Sequence, residues 1–339
     1  MKTSIRILAL VMALMLALAL LGGCAKKAAE APGDAQQTEQ PAQAETPAET
    51  PEQEQEPQPE ETPEQSGVSF TDMTGREITL DKPAEKLVAL TASDCEILYA
   101  LGAGDLLVGR GEYCDYPAEV LEVESVQSGY ETNLEQIIAL QPDVLLMATM
   151  AQTEEQVQQL EDAGIHVVVS DAQDIEGVYT AIRMIGTLTG KDAEAEALCT
   201  GMQDTFRTLS EKAAGDGTKT VYFEVSPLQY GLWTAGSGTF MNEIAAMLGL
   251  MNCFDDVTGW AEISEEQVLA RNPDYIVTIS MYYGEGPTPV EEIESRTGWE
   301  NVTAVRDGKI LNLDDNSLSR PSQRLADGAQ ALYDFVYGE

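Results

Sequence analysis

Two stretches of this chain, 131 residues apart, repeat one another without a gap. Glu135-Gln136-Ile137-Ile138-Ala139-Leu140-Gln141-Pro142-Asp143-Val144-Leu145-Leu146 matches Glu266-Gln267-Val268-Leu269-Ala270-Arg271-Asn272-Pro273-Asp274-Tyr275-Ile276-Val277. Each copy reads as a short helix, a Pro-Asp turn and a buried strand. Leu101-Gly102 and Leu248-Gly249 add a fainter echo. Chance similarity between α/β units is the competing explanation. Otherwise a chain that carries such a unit twice forms two related lobes.

The rest of the chain agrees with that architecture. Residues 70–80 alternate weakly around Met73-Thr74-Gly75-Arg76, a hairpin turn. Short apolar runs then predict strands at 87–90, 107–110, 144–149, 167–170, 221–225, 275–280 and 310–313. Helical patterns fall between most of them, at 96–101, 134–140, 153–163 and 240–248. Such alternation predicts an α/β fold of two Rossmann-like lobes with largely parallel sheets. Between the lobes, Ala195, Leu198, Met202, Phe206, Leu209 and Ala213 step by three or four residues, with Gly190 before and Gly215 after. This predicts one long backbone helix over 191–214, roughly 36 Å at 1.5 Å per residue, and limited closure of the lobes. The lobes are expected at 68–190 and 215–339. Gly236-Ser237-Gly238 is a glycine-rich turn before a helix and matches neither a nucleophile elbow nor a phosphate loop.

The first 67 residues have a different character. Lys2 and Arg6 precede an apolar run from Ile7 to Leu21, short for a membrane span. The run ends in Leu21-Gly22-Gly23-Cys24, which resembles a bacterial lipobox. The expectation is a signal peptide over 1–23, lipidation of Cys24, and anchoring to the outer face of the cell membrane; an ordinary signal with an incidental Cys is the plain alternative. Residues 25–67 hold 11 acids, 2 lysines and 7 of the 15 prolines, and no Val, Ile, Leu or aromatic residue. Such a segment cannot bury enough apolar surface to fold, so it reads as a disordered acidic tether.

Charge and histidine content narrow the function. With 58 acids against 19 basic residues the net charge is −39, most of it on residues 68–339, which argues against nucleic-acid binding. The single histidine, His166, argues against multi-histidine metal sites and His-based catalysis. It begins an expected buried strand and reads as structural. Cys95, Cys114, Cys199 and Cys253 show no Cys-x-x-Cys spacing; free, partly buried thiols are the plain reading, with a Cys95–Cys114 disulfide as the alternative. No catalytic residue and no metal site is assigned.

Several strings occur together in order: Asp72-Met73-Thr74-Gly75-Arg76 with Leu87-Val88-Ala89-Leu90, Tyr113-Cys114-Asp115-Tyr116-Pro117, Asn133-Leu134-Glu135, Ser264-Glu265-Glu266-Gln267-Val268-Leu269 and Arg320-Pro321-Ser322-Gln323-Arg324. Over residues 68–339 the chain resembles the substrate-binding proteins of ABC importers for vitamin B12, haem and ferric siderophores, which share the class III periplasmic-binding-protein fold. The resemblance implies binding and release, not catalysis. It implies a monomer that presents a metal-containing ligand to a permease dimer with its ATPase. It places permease-docking glutamates at Glu135 and Glu266, the residues that open the repeat; two equivalent carboxylates suit a two-fold partner. Helix N-terminal glutamates held by the macrodipole are the structural alternative.

The cleft is expected beyond the carboxyl ends of the strands. Those ends carry Thr91 to Asp94 and Arg110 to Tyr113 in the first lobe, and Ser226 to Trp233 and Met281 to Tyr283 in the second. Tyr130 and Trp260 are expected in loops just before the docking helices. The ligand-binding candidates are Tyr113, Tyr130, Trp233, Trp260, Tyr282, Arg110 and Arg320. The resemblance aligns Tyr113, Trp260 and Arg320 with ligand-contacting positions of cobalamin binders, whereas Gly129 and Ala148 stand where those proteins carry further tryptophans. Flat aromatic faces with a few polar anchors suit a corrin or porphyrin rim. Haem would take Tyr113 or Tyr130 as axial ligand. A ferric siderophore would rely on Arg110, Arg320 and Arg324, although Arg324 also suits a structural pairing. The acidity of the chain favours a nearly neutral corrinoid. A haem relay without its own permease and an exported hydrolase are the alternatives in other classes.

Overall fold

A computed structural model of the chain describes residues 67–128, 131–149, 153–213, 215, 217–313 and 315–338. The expected signal segment, Cys24, the tether through residue 66, Gly129 and Tyr130 lie outside these residues. The described chain opens with an antiparallel hairpin of β1 (Val68–Thr71) and β2 (Glu77–Leu80). Asp72 shapes its turn: Oδ1 accepts the backbone N–H groups of Thr74 and Arg76 at 3.0 Å each, and Gly75 takes φ +85°. Arg76 bonds Asp72 Oδ2 at 2.9 Å and also reaches the Val167 carbonyl, tying the hairpin to the first lobe.

That lobe contains β3 (Leu87–Ala89), α1 (Ala92–Ala100), β4 (Leu107–Gly111), β5 (Ser125–Val126), α2 (Leu134–Leu140), β6 (Val144–Met147), α3 (Glu154–Asp162) and β7 (His166–Val169). The strand order is β5-β4-β3-β6-β7, every pair parallel. Leu87, Val88 and Ala89 of β3 and all four residues of β6 are buried, as a sheet covered on both faces requires. His166 differs from expectation. It starts β7 but is exposed, because the first residue of the strand precedes the buried run Val167 to Val169.

A helical pair follows, α4 (Ile175–Thr189) and α5 (Asp192–Lys212). Gly190 at φ +68° ends α4, and the Lys191 N–H bonds back to the Gly186 carbonyl at 2.7 Å. Helix α5 buries Ala195, Met202, Phe206 and Leu209 of the predicted stripe, with Cys199 among them. It ends at Lys212, slightly earlier than the periodicity indicates.

The second lobe contains β8 (Thr220–Ser226), β9 (Leu232–Ala235), α6 (Phe240–Met247), β10 (Met251–Asn252), β11 (Trp260–Ile263), α7 (Glu265–Arg271), β12 (Tyr275–Thr278), α8 (Pro289–Ser295), α9 (Thr303–Arg306), β13 (Ile310–Asn312) and α10 (Leu325–Tyr337). Its sheet runs β11-β9-β8-β12-β13, with β10 beside β8. Pairs β8–β12, β12–β13 and β8–β10 are parallel, but β8–β9 and β9–β11 are antiparallel. The largely parallel expectation therefore holds for the first sheet, and the second is mixed. The segment between β8 and β9 is too short for a crossover, so the chain reverses through Gly231 at φ +88°.

The repeat is structural. Helices α2 and α7 both end in the left-handed region, at Gln141 (φ 51°) and Asn272 (φ 46°). Strands β6 and β12 each lie parallel to the first strand of their lobe, β3 and β8. The aspartates of the two Pro-Asp turns play the same part. Asp143 accepts the N–H groups of Glu85 and Lys86, both at 2.9 Å, just before β3. Asp274 accepts the Thr220 N–H at 2.9 Å and Lys219 Nζ at 3.0 Å at the start of β8. Gly102 (φ +69°) and Gly249 (φ +66°) likewise follow the ends of α1 and α6.

Candidate functional site

Two seams join the lobes. In the first, Gln173 beyond β7 takes both a backbone and a side-chain bond from the other lobe. Its carbonyl accepts the Phe240 N–H and its Oε1 accepts the Trp260 indole N–H, each at 2.9 Å. The Trp260 ring lies 5.3 Å from the Phe240 ring, and Glu243 accepts the Ile175 N–H at 2.8 Å. In the second seam, Arg320 beyond β13 reaches Glu96 Oε1 at 3.0 Å and Asp115 Oδ1 at 2.6 Å in the first lobe. Ser322 and Arg324 also bond Glu96, which is 1% exposed. Arg324 further pairs with Asp315 at 3.1 Å and stacks 4.0 Å above the Tyr116 ring.

A cavity of about 580 Å³ opens on the second lobe between the end of β8 and the loop after β12. Tyr230, Met281, Tyr282, Tyr283, Glu285 and Glu292 are among its walls. Tyr230 and Tyr283 are 76% and 82% exposed, and the Tyr282 hydroxyl donates to the Gly286 carbonyl at 3.3 Å. Beneath the cavity, Arg296 forms a fork with Glu224 at 2.7 and 2.8 Å and bonds Glu292 at 3.0 Å through Nε. Its guanidinium also sits 4.5 Å from the Trp299 ring. Burial pushes the Glu224 carboxyl up and Arg296 pulls against it.

The sequence-derived residues fall into this frame unevenly. Tyr113 is 71% exposed on the loop after β4, so its ring is available at the cleft. Tyr282 lines the cavity, and Trp233 is 40% exposed on β9. Trp260 begins β11 rather than lying in a loop; pairing with Ala235 draws it into the sheet, and its N–H is held by Gln173. Arg320 faces carboxylates of the first lobe. Arg110 ends β4 with Nη1 on the Gly111 carbonyl at 3.0 Å and has no carboxylate partner among the described residues. Tyr130 lies outside the described residues. Glu135 and Glu266 are both exposed in the first turns of α2 and α7. A hydrogen bond from Ser264 and the helix backbone hold the Glu266 carboxyl below its ordinary range.

Cys95, Cys114, Cys199 and Cys253 are free and buried. Cys95 and Cys114 both point at the Ala89 carbonyl, at 3.8 and 3.9 Å. Among the described residues no group of three or more His, Cys, Asp or Glu side chains is placed to hold a metal, and no helix is long and apolar enough to cross a membrane. The sequence reading missed Glu96, Glu224 and Arg296. The four-residue step from Glu292 to Arg296 was a usable signal, whereas Glu96 and Arg320 are 224 positions apart and left none. Aromatic faces with fixed carboxylates and guanidiniums make a surface for binding.

The periplasmic binding protein family profile matches residues 87–317. An uncharacterized ABC transporter substrate-binding lipoprotein of Bacillus subtilis, YvrC, is 35% identical over 80% of this chain and 85% of its own length. The vitamin B12-binding protein of Salmonella paratyphi A is 30% identical over 74% of this chain and 89% of its own. A crystal structure of a possible iron-binding (periplasmic solute-binding) protein from Staphylococcus epidermidis superposes with TM-score 0.63 and 31% identity, over 76% of this chain and 100% of that one.

Proposed function

Because the chain belongs to the periplasmic binding protein family, we propose that it is the substrate-binding component of an ABC importer, capturing a corrinoid or iron chelate between its lobes. Exposed aromatic faces beyond strand carboxyl ends in both lobes carry this reading: Tyr113 after β4 on one side, Tyr282 and Tyr283 after β12 on the other. They stack on the ligand's flat or apolar surface, with Trp233, Trp260 and Tyr130 contributing and Arg110 as the polar anchor. Arg320 holds the seam to the first lobe. Glu135 and Glu266 dock on the permease dimer, one from each lobe, and the ATPase drives transfer. Cys24 carries the lipid that tethers the protein outside the cell membrane, where it acts as a monomer.

The test is retention. The purified protein is exposed to cyanocobalamin, haemin and ferric siderophores, dialysed, and read by visible spectrum. Retention of one ligand at one per chain supports the reading; retention of none refutes it. Double reversal to E135R and E266R is expected to abolish uptake without weakening binding.

A further inference from the structure

This inference rests on the binding reading above and concerns the charge of the solute. Glu224, Glu285 and Glu292 line the cavity, and beneath it Arg296 pairs with Glu224 and Glu292 but not with Glu285, so the four charges sum to a negative wall. Arg296 is buried and held by Glu224 and Glu292 on both edges of its guanidinium, so it is not presented to a ligand. Glu285 sits exposed on the loop beside Tyr282 and Tyr283, whose ring faces attract cations. The facing lobe gives the same sign. Arg320 is engaged by Glu96 and Asp115. Arg110 is then the one cleft arginine among those described without a carboxylate partner.

An anionic solute entering this cleft loses its hydration and finds one unpaired guanidinium among several carboxylates. A cationic solute finds carboxylates and aromatic faces. We infer that the cleft selects solutes of net positive charge with hydrogen-bond-donating peripheries, and rejects carboxylate-bearing porphyrins and anionic ferric chelates.

The test compares two corrinoids and two ferric chelates, each pair differing in net charge, using the purified full chain and tryptophan quenching. Diaquacobinamide is cationic, and cyanocobalamin is neutral with a phosphodiester. Ferrioxamine B carries a free ammonium, and ferric enterobactin is a trianion. Within each pair the more positive probe is expected to bind at least about tenfold tighter at low salt, with the ratio shrinking severalfold near 0.5 M salt as screening grows. E285Q, on an exposed loop, is expected to shrink the ratio further. Equal or tighter binding of ferric enterobactin or haemin than of the cationic probes overturns the charge inference and leaves the binding reading standing. Binding of no probe overturns the binding reading, and this inference with it.

Discussion

Asp94 makes a sharp pH test of the first lobe. It lies in the first turn of α1, fully buried, bonded through Oδ2 to the Thr91 hydroxyl and helped by Ser170, with Oδ1 unpartnered. Burial lifts its carboxyl from 3.8 to about 6, although the hydroxyls pull down. The folded value is thus the higher one. Its contribution to stability is fully present below about 3.8 and is lost as pH rises through about 6. A rise of that size corresponds to about 3 kcal/mol, nearly all of it lost by pH 7.5. D94N removes the titration. Its amide brings a donor without an acceptor, a pH-independent cost of about 1–3 kcal/mol, so the pH dependence is the readout and not the absolute stability. Urea unfolding is measured for both proteins at pH 5.0 and 7.5. The stability of D94N relative to wild type is expected to be about 1.5 kcal/mol more favourable at the higher pH. A difference that stays constant between the two pH values refutes the reasoning.

Among the described residues Arg296 is the one cation paired with the buried Glu224 carboxylate, so R296M is expected to cost about 3–5 kcal/mol in urea unfolding; a loss under about 1 kcal/mol would show that Glu224 simply takes up a proton. D143A and D274A remove equivalent caps on β3 and β8, and each is expected to cost about 1–3 kcal/mol in the same assay. Asp274 also sets a pH dependence. Despite burial, its bonds to Thr220 and Lys219 hold its carboxyl below 3.8, so its contribution is present above about 3.8 and lost as acid takes the pH through the lower folded value. D274A is expected to flatten that acid limb.

The scaffold was legible because its determinants are local. The repeat's helix, Pro-Asp turn and strand are contiguous, and the stripe that α5 buries follows helical spacing. The hairpin turn at Asp72 was readable for the same reason. The reversal of β9 was not, because a short Gly-containing link says nothing about which strand the next one joins. Trp260 was misplaced in a loop because its strand is set by pairing with β9. The seams were invisible for a different reason: Glu96 with Arg320, and Gln173 with Trp260, are brought together by the packing of two lobes. The resemblance marked Arg320 as a ligand contact, and only the folded arrangement reveals that Glu96 and Asp115 also hold it.

The repeat and the cleft obey different symmetries, and the proposed partners explain why. Helices α2 and α7 run back against the strands that follow them, so their N-termini, with Glu135 and Glu266, lie at the cleft end of each lobe. In the proposed docking, a permease dimer presents the same surface twice, which favours keeping the two repeat units alike. The solute has no such symmetry, and the cleft faces have diverged: carboxylates and tyrosines on the second lobe, Tyr113 and Arg110 on the first. A partner that grips both glutamates at once fixes the distance between the lobes. Moving them apart must break the Gln173–Trp260 bond or the Glu96–Arg320 pair, and the latter exposes a buried carboxylate that two guanidiniums satisfy. These seams hold the lobes close to one arrangement, and in the proposed docking the work of opening falls to the permease. E96Q weakens that seam while leaving Glu135 and Glu266 in place. It is expected to loosen the lobes without ligand or permease, seen as faster hydrogen exchange confined to residues 315–324 and the loop at 111–117; unchanged exchange there would remove the seam from the account.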